Sequence, residues 1–169
     1  MEIASLPQDI ATAPLLIPVG TADRARLSGP GLRTFRNIAE AWELSEAQRI
    51  AALGHPGRST YHAWIKKAVD HKPISLPFDT LVRISAVLGI YKALAILFLD
   101  QDQAVKWLSS SHQGTIFAGS APLDLIVDGG QDGMMSVRRY LDAWRGGQMG
   151  HGAPEGSFEL VAEDDVVFL

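Results

Sequence analysis

A serine next to a histidine is the first place where this sequence could carry catalytic chemistry. Ser111 and His112 lie in a polar loop between two apolar segments. A nucleophilic serine needs a histidine as base and a third group that orients the histidine, and no such group can be identified. The other four histidines show no spacing typical of metal ligands, and the chain has no cysteine. We therefore predict that the protein is not an enzyme and has no catalytic residue, metal site or cofactor.

Charge is distributed unevenly along the chain. The formal net charge is −4, yet residues 24–72 carry nine Lys or Arg and only four acidic residues. Residues 148–169 carry five acidic residues and no Lys or Arg. A basic segment attracts different molecules from those that an acidic tail attracts. The two segments therefore indicate two different partners.

Length and composition predict a globular protein of the cytoplasm. The chain has 169 residues, of which 47% are hydrophobic and 20% charged, so a core can form and bulk disorder is not expected. The most apolar window, Ile84 to Leu99, is interrupted by Gly89 and Lys92, and we expect no membrane span. No basic region precedes an apolar run at the N-terminus, so no secretory signal is expected.

The basic segment is predicted to form three helices in a helix-turn-helix layout. Apolar residues at helical spacing place the first helix at about Gly31 to Trp42. Ser45 begins the second helix as its N-cap, Gln48 is its capping-box partner, and Gly54 ends it. Ser59 is predicted to cap the third helix.

The third helix should leave a polar and basic face in solvent. Such a helix can enter the major groove of DNA, with polar side chains near bases and basic ones near phosphates. The alternative is a three-helix core whose basic face is only solvated. The residues predicted to contact DNA are Arg58, Ser59, Thr60, His62, Lys66 and Lys67.

The chain beyond residue 73 is also predicted to be helical. A fourth helix covers roughly Phe78 to Leu88, and Gly89 stops it. A fifth helix, Tyr91 to Leu99, is apolar almost all round, so it must be buried in the core or in an interface. A short sixth helix begins at Asp102 or Gln103.

A tight turn that opens a helix lies in the C-terminal half. Gly119 permits a backbone angle that other residues resist, and Ser120 is predicted to cap the helix. Pro122 suits the first helical turn because its missing donor would be unpaired there anyway. Gly133 then leads into a last helix, which Gly146 terminates.

The second half of the chain contains an ordered set of short motifs. They are Val105-Lys106-Trp107-Leu108, Ala118-Gly119-Ser120-Ala121-Pro122-Leu123-Asp124-Leu125, Gly133, Val137, Tyr140-Leu141 and Gly146. This set resembles the C-terminal toxin-binding domain of the Xre/MbcA/ParS family of antitoxins. The N-terminal part resembles that family's Xre-like helix-turn-helix in Leu44-Ser45, Leu53-Gly54, Arg58-Ser59-Thr60-Tyr61 and Trp64.

The resemblance implies an antitoxin that neutralises a toxin of the RES-domain class. Such toxins use NAD, either by degrading it or by transferring ADP-ribose. The resemblance also implies repression of the antitoxin's own operon through the helix-turn-helix. The turn that contains His55-Pro56-Gly57-Arg58 is longer than usual, however, and some members of the family have a degenerate DNA-binding half. Operator binding and its loss are therefore both open.

The expected fold is all-α, with an Xre-like helix-turn-helix half, a small helical toxin-binding domain and an extended C-terminal tail. The expected boundaries are an N-terminal arm at 1–28, the helix-turn-helix region at 29–100, the toxin-binding domain at 101–147, and a flexible linker with an acidic and apolar tail at 148–169. The apolar run Pro14–Val19 and the helix Tyr91–Leu99 both offer area for a homodimer.

A toxin site that accepts NAD should be basic and apolar, and the tail offers carboxylates and apolar groups that match. We expect the domain to dock and the tail to occlude the NAD site. The alternatives are a solvated acidic tail and a stand-alone DNA-binding transcriptional regulator with a helical dimerisation domain. The predicted toxin-binding residues are Gly119, Ser120, Pro122, Leu123, Asp124, Arg138, Tyr140, Trp144, Phe158, Glu159, Leu160, Glu163, Asp164, Asp165, Phe168 and Leu169.

Overall fold

The computed structural model describes residues 20–146, which form helices and no strand, and this confirms the predicted all-α fold class. The helices of this part of the chain are α1 (Thr21–Ala41), α2 (Glu46–Ala52), α3 (Arg58–Val69), α4 (Phe78–Leu97), α5 (Gln101–Ser109), α6 (Pro122–Val127) and α7 (Gly130–Arg145). The predicted apolar arm run and the predicted tail lie outside the described residues.

Helix α4 lies at the centre of the fold. It packs against α1 and against α7, while α3 packs on α1. Helix α6 contacts α2, α5 and α7, so the second half of the chain rests directly on the first. One hydrophobic core therefore runs from α1 to α7. Its most deeply buried side chains include Leu32, Phe35, Ile90, Leu94, Met134 and Leu141.

Helix α4 corrects the prediction of two helices separated at Gly89. The structure has one continuous helix, and Gly89 lies inside it. A Cβ atom at Gly89 would lie 2.7 Å from Nε of Arg138 on α7, so this glycine provides room for a neighbouring side chain. Val87 and Ile90 on either side are buried. Their burial outweighs the weak helix propensity of glycine.

The continuity of α4 corrects one reason given for expecting no membrane span, namely an interruption at Gly89. By length and composition alone, this helix is long and apolar enough to cross a membrane. In the folded chain, however, Leu81, Ile84 and Ala93 are buried against neighbouring helices. Much of the apolar surface of α4 therefore belongs to the core.

Helix α1 begins at Thr21, well before the predicted start at Gly31. The additional turns are held by a contact that has no local signal in the sequence. The buried hydroxyl of Ser28 donates to the carbonyl of Arg24 and accepts the backbone N–H of Leu76, 2.9 Å away. A hydrogen bond between residues this far apart in sequence stabilises the helix only in the folded protein.

The capping box of α2 is confirmed, whereas the predicted cap of α3 is wrong. The hydroxyl of Ser45 accepts the N–H of Gln48 at 3.3 Å, and the Gln48 side chain accepts the N–H of Ser45 at 2.9 Å. Helix α3 begins at Arg58 after Gly57, so Ser59 lies inside its first turn and does not cap it. Helix α3 therefore starts two residues earlier than a Ser59 cap would place it.

Carboxylate side chains accept backbone N–H groups at the N-termini of the next two short helices, α5 and α6. Helix α5 begins before the predicted position because the Asp100 side chain accepts the N–H of Gln103 at 2.8 Å. For α6 the predicted Ser120 cap is wrong, since Ala121 is the N-cap residue. The N–H of Ala121 donates to the Asp124 carboxylate at 3.3 Å. Asp124 therefore accepts the backbone N–H of the N-cap residue, as the N3 carboxylate of a capping box does.

Candidate functional site

The loop before α6 is closed by its own backbone. The N–H of Gly119 donates to the carbonyl of His112 at 2.9 Å, and the N–H of His112 donates to the carbonyl of Ser120 at 3.2 Å. Two residues at the end of the loop have positive φ, Ala118 at 48° and Gly119 at 88°. The positive φ of Gly119 confirms the predicted turn. These bonds set the position from which α6 starts.

An aromatic cluster holds this loop against α5 and α7. Trp107 of α5 stacks on Tyr140 of α7, with ring centroids 6.1 Å apart. The Phe117 ring of the loop packs edge-on against the Trp107 ring, with centroids 5.9 Å apart. The Trp144 ring also packs on Trp107, at a centroid distance of 5.9 Å. The His112 ring lies 5.1 Å from Trp107, and its Nε2 is 2.9 Å from the Trp107 carbonyl oxygen. The histidine next to the serine run is therefore packed into the domain.

Tyr140 is a buried member of this cluster, with a side chain only 7% exposed. Among residues 20–146 its hydroxyl has no hydrogen-bond partner. Burial raises the pKa of this hydroxyl to about 12, because the phenolate would lose its hydration. Its predicted contact with a toxin stays a prediction, and the structure gives its ring a packing role.

Two glycines allow α6 and α7 to approach each other closely. A Cβ atom at Gly129 or at Gly133 would lie 2.5 Å from the backbone oxygen of Leu125. Helix α7 begins at Gly130, earlier than the predicted lead-in at Gly133. Gly133 is thus a contact point inside the first turn of α7. The sequence showed the glycine, but its partner on α6 appears only in three dimensions.

Arg138 lies at the seam between α7 and α4. Its side chain is 18% exposed and lies across Gly89. Nη1 donates to the carbonyl of Ser85 at 3.4 Å, and Nε is 3.8 Å from the Asp142 carboxylate. Arg138 therefore joins the two central helices. Its predicted role in toxin binding stays a prediction.

The other predicted toxin contacts on α6 and α7 differ in exposure. Asp124 is exposed, Leu123 and Trp144 are half-buried, and Pro122 is buried. The exposed and half-buried members could contact a partner without unfolding the domain. The predicted tail contacts lie outside the described residues: Phe158, Glu159, Leu160, Glu163, Asp164, Asp165, Phe168 and Leu169.

The predicted DNA-binding face is exposed on α3. All six of its residues are accessible: Arg58, Ser59, Thr60, His62, Lys66 and Lys67. The preceding turn carries two residues with positive φ, Gly54 at 91° and His55 at 58°. This turn spans residues 53–57 and is as long as the sequence suggested.

Glu46 is a charged partner of this face that sequence reasoning missed. One of its carboxylate oxygens is 2.6 Å from Nε of Arg58, and the other is 3.4 Å from Nε2 of His62. A carboxylate therefore lies among the predicted phosphate and base contacts. Its position at the start of α2, opposite the start of α3, is the signal that could have revealed it.

Three exposed apolar residues lie on the segment predicted to offer area for a homodimer. Tyr91, Ile96 and Leu99 lie at the C-terminal end of α4 and beyond it, and Leu99 is 97% exposed. No cluster of three or more residues able to bind a metal occurs within residues 20–146.

Comparison with known proteins agrees with this description. The family model for the antitoxin Xre/MbcA/ParS C-terminal toxin-binding domain matches residues 93–147, which comprise the end of α4, the aromatic cluster, α6 and α7. The chain is also similar to "Uncharacterized protein y4oB" from Sinorhizobium fredii (strain NBRC 101917 / NGR234). That similarity is 41% identity over 127 residues, 75% of this chain and 92% of the relative. No solved structure matches with significance. Residues 93–147 belong to the Xre/MbcA/ParS family of antitoxin toxin-binding domains, and this membership supports the role of an antitoxin in a toxin-antitoxin pair.

Proposed function

We propose that this antitoxin binds and inhibits a RES-domain toxin that consumes NAD or transfers ADP-ribose. The observation that carries the proposal is the family's toxin-binding domain at residues 93–147, folded around Trp107. The docking surface consists of the accessible residues around Leu123, Asp124 and Trp144. The antitoxin acts by occupying a site and performs no chemistry of its own.

Inhibition comes from the tail that follows α7. An NAD site must accept a doubly charged pyrophosphate and flat rings, so it offers basic and apolar groups. Residues 148–169 carry carboxylates and large apolar side chains that match such a site. A tethered segment has an effective concentration on the order of millimolar, so weak insertion is enough to block the site.

A truncated chain that ends at residue 147 tests the tail. It should still bind the toxin, as measured by co-purification, while the toxin again consumes NAD. A second variant keeps the full length and neutralises the three consecutive acidic residues by the substitutions E163Q, D164N and D165N. This second variant should inhibit the toxin less strongly if the carboxylates contribute to binding in the NAD site. Complete inhibition by the truncated chain would show that the tail is not needed.

Operator DNA is a second candidate partner. The observation that favours it is the exposed polar and basic face of α3. The rival function, a stand-alone DNA-binding transcriptional regulator, uses the same face but needs no toxin. Gel shifts with operator DNA at several salt concentrations test this binding. If the face binds DNA, the affinity should fall steeply as the salt concentration rises. Inhibition of a toxin separates the antitoxin from the rival.

Self-association and location complete the proposal. The exposed apolar residues Tyr91, Ile96 and Leu99 support a homodimer within the toxin-antitoxin complex. The cytoplasm is the proposed location, since both NAD and operator DNA are found there. Analytical sedimentation of the purified native chain and of its I96S variant tests the dimer. The native chain should sediment as a dimer, and the variant should shift towards the monomer.

A further inference from the structure

A groove with a volume of about 320 Å³ runs between α1 and α4. Half of the Phe78 side chain is exposed at this groove. The surface belongs to neither the toxin-binding domain nor the DNA-binding face. An apolar surface of this kind favours an apolar occupant. Its lining includes Leu27, Pro30 and Thr34 of α1 and Phe78, Val82 and Leu88 of α4.

We propose that the groove is filled by Pro14–Val19, which folds back along α1 within the same chain. We call this segment the strap. Its sequence, Pro-Leu-Leu-Ile-Pro-Val, is apolar throughout, and it lies outside the described residues. It ends next to Gly20, the N-cap residue of α1. The strap is therefore tethered to one wall of the groove.

The strap is long enough to fill the groove. A helix rises about 1.5 Å per residue, which places Leu27 about 10 Å and Thr34 about 21 Å from Gly20 along α1. Six extended residues span about 20 Å. A strap that reverses direction near Gly20 therefore passes Leu27 and extends towards Thr34 without using residues 1–13.

Backbone chemistry also suits this occupant. Pro14 and Pro18 have no N–H, so the strap brings fewer donors into an apolar site. Pro30 lies inside α1 and likewise has no N–H, so the carbonyl of Arg26 lacks its usual helical donor. That carbonyl offers an acceptor at the edge of the groove for an amide of the strap.

Arg24 adds an unsatisfied donor one turn before the groove. Its Nε is buried and has no hydrogen-bond partner within the part of the chain that the structure describes. Buried donors of this kind are normally paired. A strap that leaves Gly20 and turns back along α1 passes this position and can supply a backbone carbonyl.

A tether favours the strap over a second molecule. Stable association between two proteins buries about 1,200 Å² or more of surface, much more than a groove of this size offers by itself. The strap needs less, because its effective concentration is on the order of millimolar. This inference concerns the helix-turn-helix half and does not depend on the proposed toxin.

Disulfide trapping tests the strap directly, because the full chain has no cysteine of its own. The test variant is L15C/T34C, which joins the strap to the far end of the groove. The matched control is L15C/T60C, whose second site is an exposed threonine on α3. After oxidation at low protein concentration, the test variant should give about tenfold more cross-linked monomer than the control.

The other outcomes contradict the proposal. Equal yields from the two variants would show that the strap has no preference for the groove. Disulfide-linked dimers whose yield rises with concentration would show that a second copy fills it. A third variant, F78S added to L15C/T34C, should lose most of the cross-link while keeping its helical circular dichroism. An unchanged cross-link in that folded variant would also overturn the proposal.

Discussion

At the scale of single residues, a contact between Gly133 and the backbone oxygen of Leu125 sets how closely α6 and α7 approach. The backbone oxygen of Leu125 occupies the space where a side chain at Gly133 would begin. Backbone cannot move aside as a flexible side chain can. The glycine is therefore required by a neighbour and not by its own φ angle.

G133A should destabilise the protein, even though alanine is the better helix former. The added Cβ would lie 2.5 Å from the Leu125 oxygen, and overpacking of this kind costs about 1–3 kcal/mol. The matched control is G31A inside α1, where the new Cβ would lie an ordinary 3.5 Å from Ile84. G31A should be neutral or gain up to about 1 kcal/mol. Urea unfolding of both variants measures the difference, and equal stabilities would refute the close approach.

Y140F should leave stability unchanged or raise it by up to about 1 kcal/mol. The lost hydroxyl is buried without a partner among the described residues, so its removal relieves a desolvation cost. F117A, which removes a fully buried ring next to it, should cost about 3–5 kcal/mol. Chemical unfolding compares the two variants. A large loss in Y140F would show that the hydroxyl has a partner after all.

The same hydroxyl predicts a pH dependence. Its pKa is raised from 10.0 to about 12 in the folded protein, so the folded state holds this proton more tightly than the unfolded chain does. The stabilisation is present below pH 10 and is lost as the pH rises towards 12. The free energy of unfolding should therefore fall more steeply with pH in the native protein than in Y140F. Parallel curves between pH 10 and 12 would contradict the shift.

At the scale of helices, features set by neighbouring residues could be predicted from the sequence, whereas features set by residues far away in the sequence could not. The capping box of α2 was predictable because Ser45 and Gln48 lie one turn apart. The positive φ of Gly119 was predictable because glycine favours it. The continuity of α4 was not, since the reason for Gly89 is Arg138, on a helix that comes later in the chain.

The start of α1 and the ion pairs of α3 show the same limit. The early turns of α1 depend on the bond from Leu76 to Ser28, and Glu46 reaches α3 from another helix. Of the candidate site, the sequence identified the loop and the exposed face of α3. It could not reveal that Tyr140 and Arg138 are packed against other helices.

Helix α3 should respond to charge changes if it binds operator DNA. K66A/K67A should weaken binding to all sequences and lower the salt slope by about 2, because two phosphate contacts are lost. E46Q should strengthen binding severalfold, because it removes the carboxylate that pairs with Arg58 and His62. Gel shifts with both variants measure these effects. No response to either would favour a DNA-binding half that has lost its function.

At the scale of the whole molecule, the two halves share one core. Helix α4 contacts α1 in the first half and α7 in the second, and α6 rests on α2. The segment that matches the toxin-binding domain is therefore supported by the helices of the first half, whether or not that half binds DNA. This arrangement gives α6 and α7 a rigid base.

The proposed function of this chain is to silence an NAD-using toxin by binding it. The most direct measurement titrates a purified toxin of the proposed RES-domain class with the full-length chain and follows the NAD concentration. We predict that NAD consumption falls to the background rate once the antitoxin matches the toxin in amount. Consumption that continues unchanged at a large excess of antitoxin would contradict the account.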